Sequence, residues 1–267
     1  MTAPILVTGG TGTLGRQVVP RLLEAGRRVR VLTRDGHDHP EGVELATGDL
    51  TTGEGIDAAV AGTEVVLHLA GTAKGDEVKA RHLVRAAAQA GVRHLVFISV
   101  VGADRIPVTS AVDRAMFGYF AAKRAAEQVI ADSGVGWTTL RATQFQESVL
   151  LIVRQLARLP LVVPVPAGWR FQPIAAGEVA DRLVELTLGA PAGLVPALGG
   201  PRTYPLAELV RGYLRATHRR RLLLPVWTPG GAARTFRAGA NLVPDRAVGH
   251  RTWEQFLTGR ESVLSTR

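Results

Sequence analysis

The eleven residues Ile5-Leu6-Val7-Thr8-Gly9-Gly10-Thr11-Gly12-Thr13-Leu14-Gly15 pass from an apolar β-branched run, through a glycine-rich turn, into an apolar helical pattern. A strand that turns this tightly into a helix fits few architectures. Gly9, Gly12 and Gly15 each have a use in such a turn. One permits the reversal, one lets a pyrophosphate approach the backbone, and one lets the helix pack close to the strand. The competing reading is a purely structural turn. Its place directly after the first strand and before an apolar helix favours the phosphate-binding reading. The amides from Thr11 through Thr13 and Leu14 to Gly15 then line the helix N-terminus, where free N–H groups and a partial positive charge meet anions.

The rest of the first half supports the same architecture. Ile5–Val7, Val29–Leu32, Val43–Leu45, Val65–Leu69, Leu95–Ser99 and Trp137–Leu140 read as strands, nearly all apolar, as in a parallel sheet buried on both faces. Helical patterns near 14–25, 77–90 and 112–132 separate them. This βαβα order predicts an α/β fold with a doubly wound parallel sheet. Beyond about residue 142 the alternation loosens. Helices are expected over Phe145–Leu159, Glu178–Leu188 and Leu206–Thr217, a loop or edge over the proline-rich Leu161–Pro173, and a late strand over Gly193–Leu198. The expectation is one domain over 1–267, with a cofactor core over about 1–142 and a smaller substrate-covering portion over about 143–267.

The end of the second strand bears on the cofactor. An acid there suits the ribose hydroxyl of NAD, whereas an arginine suits the extra phosphate of NADP. Arg34 stands 19 residues past Gly15, with Asp35 next and Arg16 beside the loop. NADP(H) is favoured over NAD(H). Asp49 and Leu50 close the third strand, where Asp49 either accepts from the adenine amino group or caps a turn. Ala70 and Gly71 end the fourth, where small residues admit a dinucleotide.

Composition narrows the chemistry. No cysteine is present, so disulfides, thiolate metal sites and cysteine nucleophiles are excluded. The seven histidines show no metal-ligand spacing, and His37 and His39 read as a solvated loop, so no metal is expected. The net charge is +9, yet only three of the 32 basic residues are lysines (Lys74, Lys79 and Lys123). The run His218-Arg219-Arg220-Arg221 lacks interleaved aromatics and reads as a solvated helix end rather than a nucleic-acid patch. No apolar run reaches the length of a membrane span, and no leader is apparent. The expectation is a cytoplasmic protein with a small-molecule substrate and neither nucleic-acid nor membrane partner. Oligomeric state is not readable.

Taken together, TGGTGTLG at 8–15, GDL at 48–50, LHLAG at 67–71, FISVVGAD at 97–104, YFAAKRAAEQVI at 119–130 and WTTLRATQF at 137–145 resemble the short-chain dehydrogenase/reductase superfamily. More narrowly they resemble its atypical NmrA-like, NAD(P)H-binding members. The likeness continues loosely through FQPIAAGEVA at 171–180 and RTWEQFL at 251–257. It implies a Ser-Tyr-Lys set, matched by Ser99, Tyr119 and Lys123. The sequence departs at His68-Leu69-Ala70-Gly71, where standard members carry Asn-Ala-Gly. The family also includes non-catalytic cofactor sensors.

Tyr119 and Lys123, four apart, share one helix face. A lysine beside a phenol is expected to pull its pKa downward, towards general acid–base use. Ser99 would orient a substrate carbonyl. Gln144 and Phe145 follow the sixth strand, and Trp169 and Phe171 sit in the proline-rich stretch; all four are candidate substrate neighbours, with plain packing as the competing reading. The leading expectation is an NADPH-dependent oxidoreductase acting on a carbonyl or quinone-like compound. The alternatives are a redox sensor, or a sugar-nucleotide epimerase or dehydratase.

Overall fold

The computed structural model describes residues 2–34, 41–71 and 75–260. Asp35, Asp38, His37, His39 and Lys74 lie outside the described residues. In chain order the elements are β1 (Ile5–Thr8), α1 (Gly15–Glu24), β2 (Val29–Thr33), β3 (Glu44–Thr47), α2 (Ile56–Val60), β4 (Val65–His68), α3 (Asp76–Gln89), β5 (His94–Val100), α4 (Ala111–Ala131) and β6 (Trp137–Ala142). There follow α5 (Gln146–Leu156), β7 (Val162–Pro166), β8 (Arg170–Phe171), α6 (Ala176–Leu188), β9 (Gly193–Leu194) and β10 (Tyr204–Pro205). The chain closes with α7 (Leu206–Ala216), β11 (Leu222–Val226), α8 (Gly231–Arg237) and α9 (Trp253–Thr258). It divides into two compact units, one of Met1–Ser99, Gly118–Arg141 and Ala176–Pro196, the other of Val100–Phe117, Ala142–Ala175 and Ala197–Arg267.

The first unit is built on a seven-stranded sheet in the order β3-β2-β1-β4-β5-β6-β9. The pairs β3–β2, β2–β1, β1–β4, β4–β5 and β6–β9 are parallel. This is the doubly wound sheet expected from the βαβα order. Strands β1 and β5 are buried at every position, which is why they are mostly apolar, with Thr8, His94 and Ser99 as their polar members. The edge strand β3 alternates half-buried and exposed residues. Against one face, Leu6, Val66, Leu95 and Phe97 pack with Ile56 of α2, Leu83 of α3, and Ala126 and Ile130 of α4. The helix α6, from beyond residue 142, also belongs to this unit, where Arg21 of α1 donates to Asp181 of α6 at 2.6 Å.

The helix α4 is tied to the sheet by its last turns. Arg141 of β6 donates to both carboxylate oxygens of Glu127, at 2.8 and 2.7 Å. Such a forked pair fixes orientation as well as distance. Tyr119, Lys123 and Glu127 are spaced by four, so the clamp also sets which way their common stripe faces.

In the second unit the expected helices appear as α5 and α7. The stretch read as loop or edge contains β7, which pairs in parallel with β11. With only one partner strand, β7 tolerates Pro164 and Pro166, which cannot donate to a ladder. The expected late strand shrinks to β9 and an isolated bridge from Ala142 to Leu198. The short α9 carries a capping box between Thr252 and Gln255.

Candidate active site

The turn between β1 and α1 is built on close backbone contact. Gly9 has φ +72°, and a Cβ there would lie 2.7 Å from the Ala70 nitrogen. At Gly15 an added Cβ would lie 2.2 Å from the Gly9 carbonyl oxygen, so the helix can start there only without a side chain. Gly12 is different: it is exposed, and a Cβ would meet only the Gly9 carbonyl oxygen, at 3.3 Å. Thr13 is exposed as well, Thr11 is half-buried, and Leu14 is buried. The α1 N-terminus carries no side-chain cap and no acid in its first turn. That leaves its dipole uncompensated, as an anion site requires. Arg16 braces the turn by donating through Nε to the Thr11 carbonyl at 2.8 Å. A dinucleotide diphosphate therefore fits this turn.

The tip of β4 sits beside the turn. Thr8 Oγ1 and His68 Nδ1 are hydrogen-bonded at 2.7 Å, and the Ala70 amide donates to Thr8 Oγ1 at 3.3 Å. His68 stacks on Phe97 with ring centroids 5.3 Å apart. Burial, and then the Lys123 charge, lower its pKa to about 3, so the imidazole is neutral. The departure from Asn-Ala-Gly is thus a buried, uncharged ring packed beneath the loop.

Arg34 is exposed at the end of β2. Asp49 holds a turn, accepting the Thr51 amide through Oδ1 at 2.7 Å. Its carboxyl is held below the usual range by those hydrogen bonds, with smaller help from Arg34 and Lys79. Leu50 is buried, and its carbonyl accepts from His82 Nδ1 at 2.8 Å.

The chemistry-bearing cluster lies where β5 meets α4. The Lys123 side chain is only 3% exposed. Its Nζ donates to the Ile98 carbonyl at 3.2 Å, lies 3.3 Å from Asp76 Oδ2, and sits 4.7 Å from the Phe97 ring centroid. Burial lowers its pKa and Asp76 opposes that. Lys79 reaches the other oxygen of Asp76 at 3.6 Å. Gly71 completes the cage, since a Cβ there would stand 2.6 Å from Lys123 Nζ. Ser99 is buried, and its hydroxyl has no hydrogen-bond partner among the described residues. Alternation along β5 puts Ser99 on the same sheet face as Phe97, which carries Lys123.

Tyr119 lies on the Lys123 face of α4, with Nζ 5.8 Å from its ring centroid. The phenol is shifted opposite to the expectation. Burial, and secondly the Asp76 charge, raise its pKa. Tyr119 is still 39% exposed, so water offsets part of that rise. The sequence reading missed Asp76 and Glu127. The only hint of Asp76 was an acid opening a helix after Gly75.

The remaining candidates belong to the second unit. Phe171 is buried against Phe236 at 5.4 Å. Trp169 packs on Phe236 with ring centroids 4.8 Å apart and planes tilted by 45°, and donates to Thr228 Oγ1 at 3.1 Å. The contacts seen for these two are packing contacts. Phe145 is half-buried and precedes α5. Gln144 differs: both ends of its amide are buried with no hydrogen-bond partner among the described residues.

A parallel sheet of this order, with a glycine turn at the end of its first strand, defines the dinucleotide-binding class. Residues 9–149 match the NAD(P)H-binding family, and the chain belongs to it. A (4-alkanoyl-5-oxo-2,5-dihydrofuran-3-yl)methyl phosphate reductase of Streptomyces griseus is 35% identical over 153 residues, 55% of this chain and 49% of that protein. The chain thus spans about half the length of that relative. The ceramide reductase of Caulobacter vibrioides is 29% identical over 244 residues, 85% of this chain and 74% of that protein. The Escherichia coli NADPH-dependent quinone oxidoreductase complexed with NADPH shares the fold, with TM-score 0.76 and 19% identity over 96% of this chain and 99% of that one. Among the described residues no helix is long and apolar enough to cross a membrane, and no group of three or more His, Asp or Glu could hold a metal.

Proposed function

We propose that this protein is an NADPH-dependent reductase of small carbonyl or quinone-like compounds. The observation that carries the reading is the buried Lys123 ammonium, fixed by Asp76 and the Ile98 carbonyl on the helix face of Tyr119. A bound nicotinamide cofactor would supply the hydride, held at the Gly9–Gly15 turn with Arg34 taking the 2′-phosphate. Asp49, Leu50, Ala70 and Gly71 would flank it. The Ser99 hydroxyl donates to the substrate oxygen. Tyr119 delivers the proton, and Lys123, anchored to the Ile98 carbonyl and Asp76, holds the helix face from which it acts. A raised phenol pKa keeps Tyr119 protonated at neutral pH, which suits reduction. The reverse direction needs the phenolate and hence alkaline conditions. The names of the reductase relatives support the same reaction class.

Tyr119→Phe tests this. Turnover should fall by roughly 100-fold or more, the usual contribution of a positioned acid, while the NADPH dissociation constant stays within about twofold. Retained turnover would remove Tyr119 from the mechanism. The reductive rate of the unaltered protein should be flat from about pH 6 to 9, since the phenol titrates above its ordinary value. An inflection near neutrality would mean that Lys123 governs it after all. NADPH binding with no turnover on any carbonyl or quinone would identify a cofactor sensor instead.

A further inference from the structure

The second unit carries a surface that the proposed reductase activity does not use. Leu161 and Leu222 are 76% and 74% exposed, and Leu151 and Leu224 are 66% and 54% exposed. Leu161, Leu222 and Leu224 are neighbours in the fold. The Leu222 amide donates to the Leu161 carbonyl at 3.1 Å, and β11 runs beside β7 with Leu222 opposite Val162 and Leu224 opposite Pro164. Leu222 and Leu224 are two apart on a strand, so they point to the same side. Arg221 donates to the Ala157 and Leu159 carbonyls, which ties this strand to the end of α5. Isolated exposed leucines need no explanation, whereas a contiguous set does.

Leu151 lines a groove rimmed by Arg154, Arg158 and Arg219. The segments 148–177 and 209–244 hold ten arginines and no aspartate or glutamate, with one acid at each boundary (Glu147, Glu178, Glu208 and Asp245). Glu147, the acid just before the first segment, is 3.3 Å from Arg260, and Glu208, just before the second, is 2.7 Å from Arg202.

We infer that this face docks on an anionic phospholipid surface. Leucines enter the acyl boundary while the arginines lie at headgroup level with their stems along the apolar surface. A second copy of the chain is a poorer occupant, because a two-fold contact would bring the same arginines face to face. Nucleic acid would leave the leucines unburied and in water. The reading concerns docking on a surface, and so departs from the expectation of no membrane partner without requiring a span.

Co-sedimentation of the full chain with vesicles tests it. Vesicles of phosphatidylcholine with 30% phosphatidylserine (a choice of order set by physiological anionic leaflets) should bind the protein about tenfold or more tightly than pure phosphatidylcholine. Raising the salt to about 0.5 M should remove most of that difference. The double variant Leu161→Ser, Leu222→Ser should lose binding about tenfold or more, and Arg219→Glu, Arg220→Glu likewise. Arg219→Lys, Arg220→Lys should retain it. NADPH affinity and the thermal midpoint serve as folding controls for each variant. Equal binding to both vesicles, no binding to either, or variants that bind unchanged would overturn the inference. So would a concentration-dependent dimer that the leucine substitutions abolish while vesicles are ignored.

Discussion

With the Asp76 carboxylate removed, the Lys123 ammonium would keep the Ile98 carbonyl and the Phe97 ring face as the partners the structure gives it. Breaking one side of a buried ion pair strands the other charge and costs about 3–5 kcal/mol. Asp76→Asn should therefore lower the unfolding free energy by about 3 kcal/mol in urea titrations. Adding Lys123→Met should recover part of that loss, because the most deeply buried ammonium is then gone; a purely additive double variant would show that the pair is not coupled. Arg34 makes a second test at this scale. Arg34→Ser should weaken NADPH by roughly tenfold, the worth of a charge-assisted contact, and leave NADH within about twofold. Equal losses for both nucleotides would mean that Arg34 does not read the 2′-phosphate. Arg34 could be singled out from the sequence because it sits at a fixed distance from the glycine turn along the chain. Asp76 could not, since its partner Lys123 lies 47 positions away and nothing local marks the two as neighbours.

Between elements, the turn from β1 to α1 shows that the three glycines have separable jobs. Gly15 lets helix meet turn, and its Cβ would collide with backbone at 2.2 Å. Gly12 faces outward with a single near neighbour at 3.3 Å. Gly12→Ala should consequently fold normally, with an unchanged thermal midpoint, and bind NADPH about tenfold or more weakly. Gly15→Ala should lower the thermal midpoint by several degrees, as about 2 kcal/mol of strain would do in a chain of this size. If Gly12→Ala bound the nucleotide as well as the parent, the turn would not be the phosphate cradle. The spacing singled out all three glycines, but only the packed turn separates the outward-facing Gly12 from Gly15, which meets backbone. The stretch 161–173 was harder to read. Its alternation is visible, but the prolines mask it, and the partner β11 lies some 60 residues on.

At the scale of the whole molecule, burying His68 links stability to pH. Its folded pKa is about 3 against an ordinary 6.5. Above pH 6.5 neither state is protonated and the contribution is fully present. Below it the unfolded chain binds a proton that the folded one refuses, so stability falls by about 1.4 kcal/mol per pH unit. The loss continues down to about pH 3, where it reaches roughly 4–5 kcal/mol. Between pH 7 and pH 5 this one group should remove about 2 kcal/mol. His68→Gln should flatten the urea-unfolding free energy against pH by that amount. His94, also lowered by burial but with a hydrogen bond to the Gly189 backbone opposing the shift, should leave a smaller residual slope. Identical slopes with and without His68 would mean that the ring is not held neutral.

The chain's own order of residues determined the parallel sheet, the glycine turn and the shared helix face of Tyr119 and Lys123, because these rest on periodicity and short spacing. Tertiary structure decided the charge state of the site. Whether a lysine lowers a neighbouring phenol depends on what surrounds the pair, and here burial comes first and the charge of Asp76, arriving from another helix, adds to it. Desolvation and long-range pairing are properties of the packed interior, and no local pattern of residues encodes them.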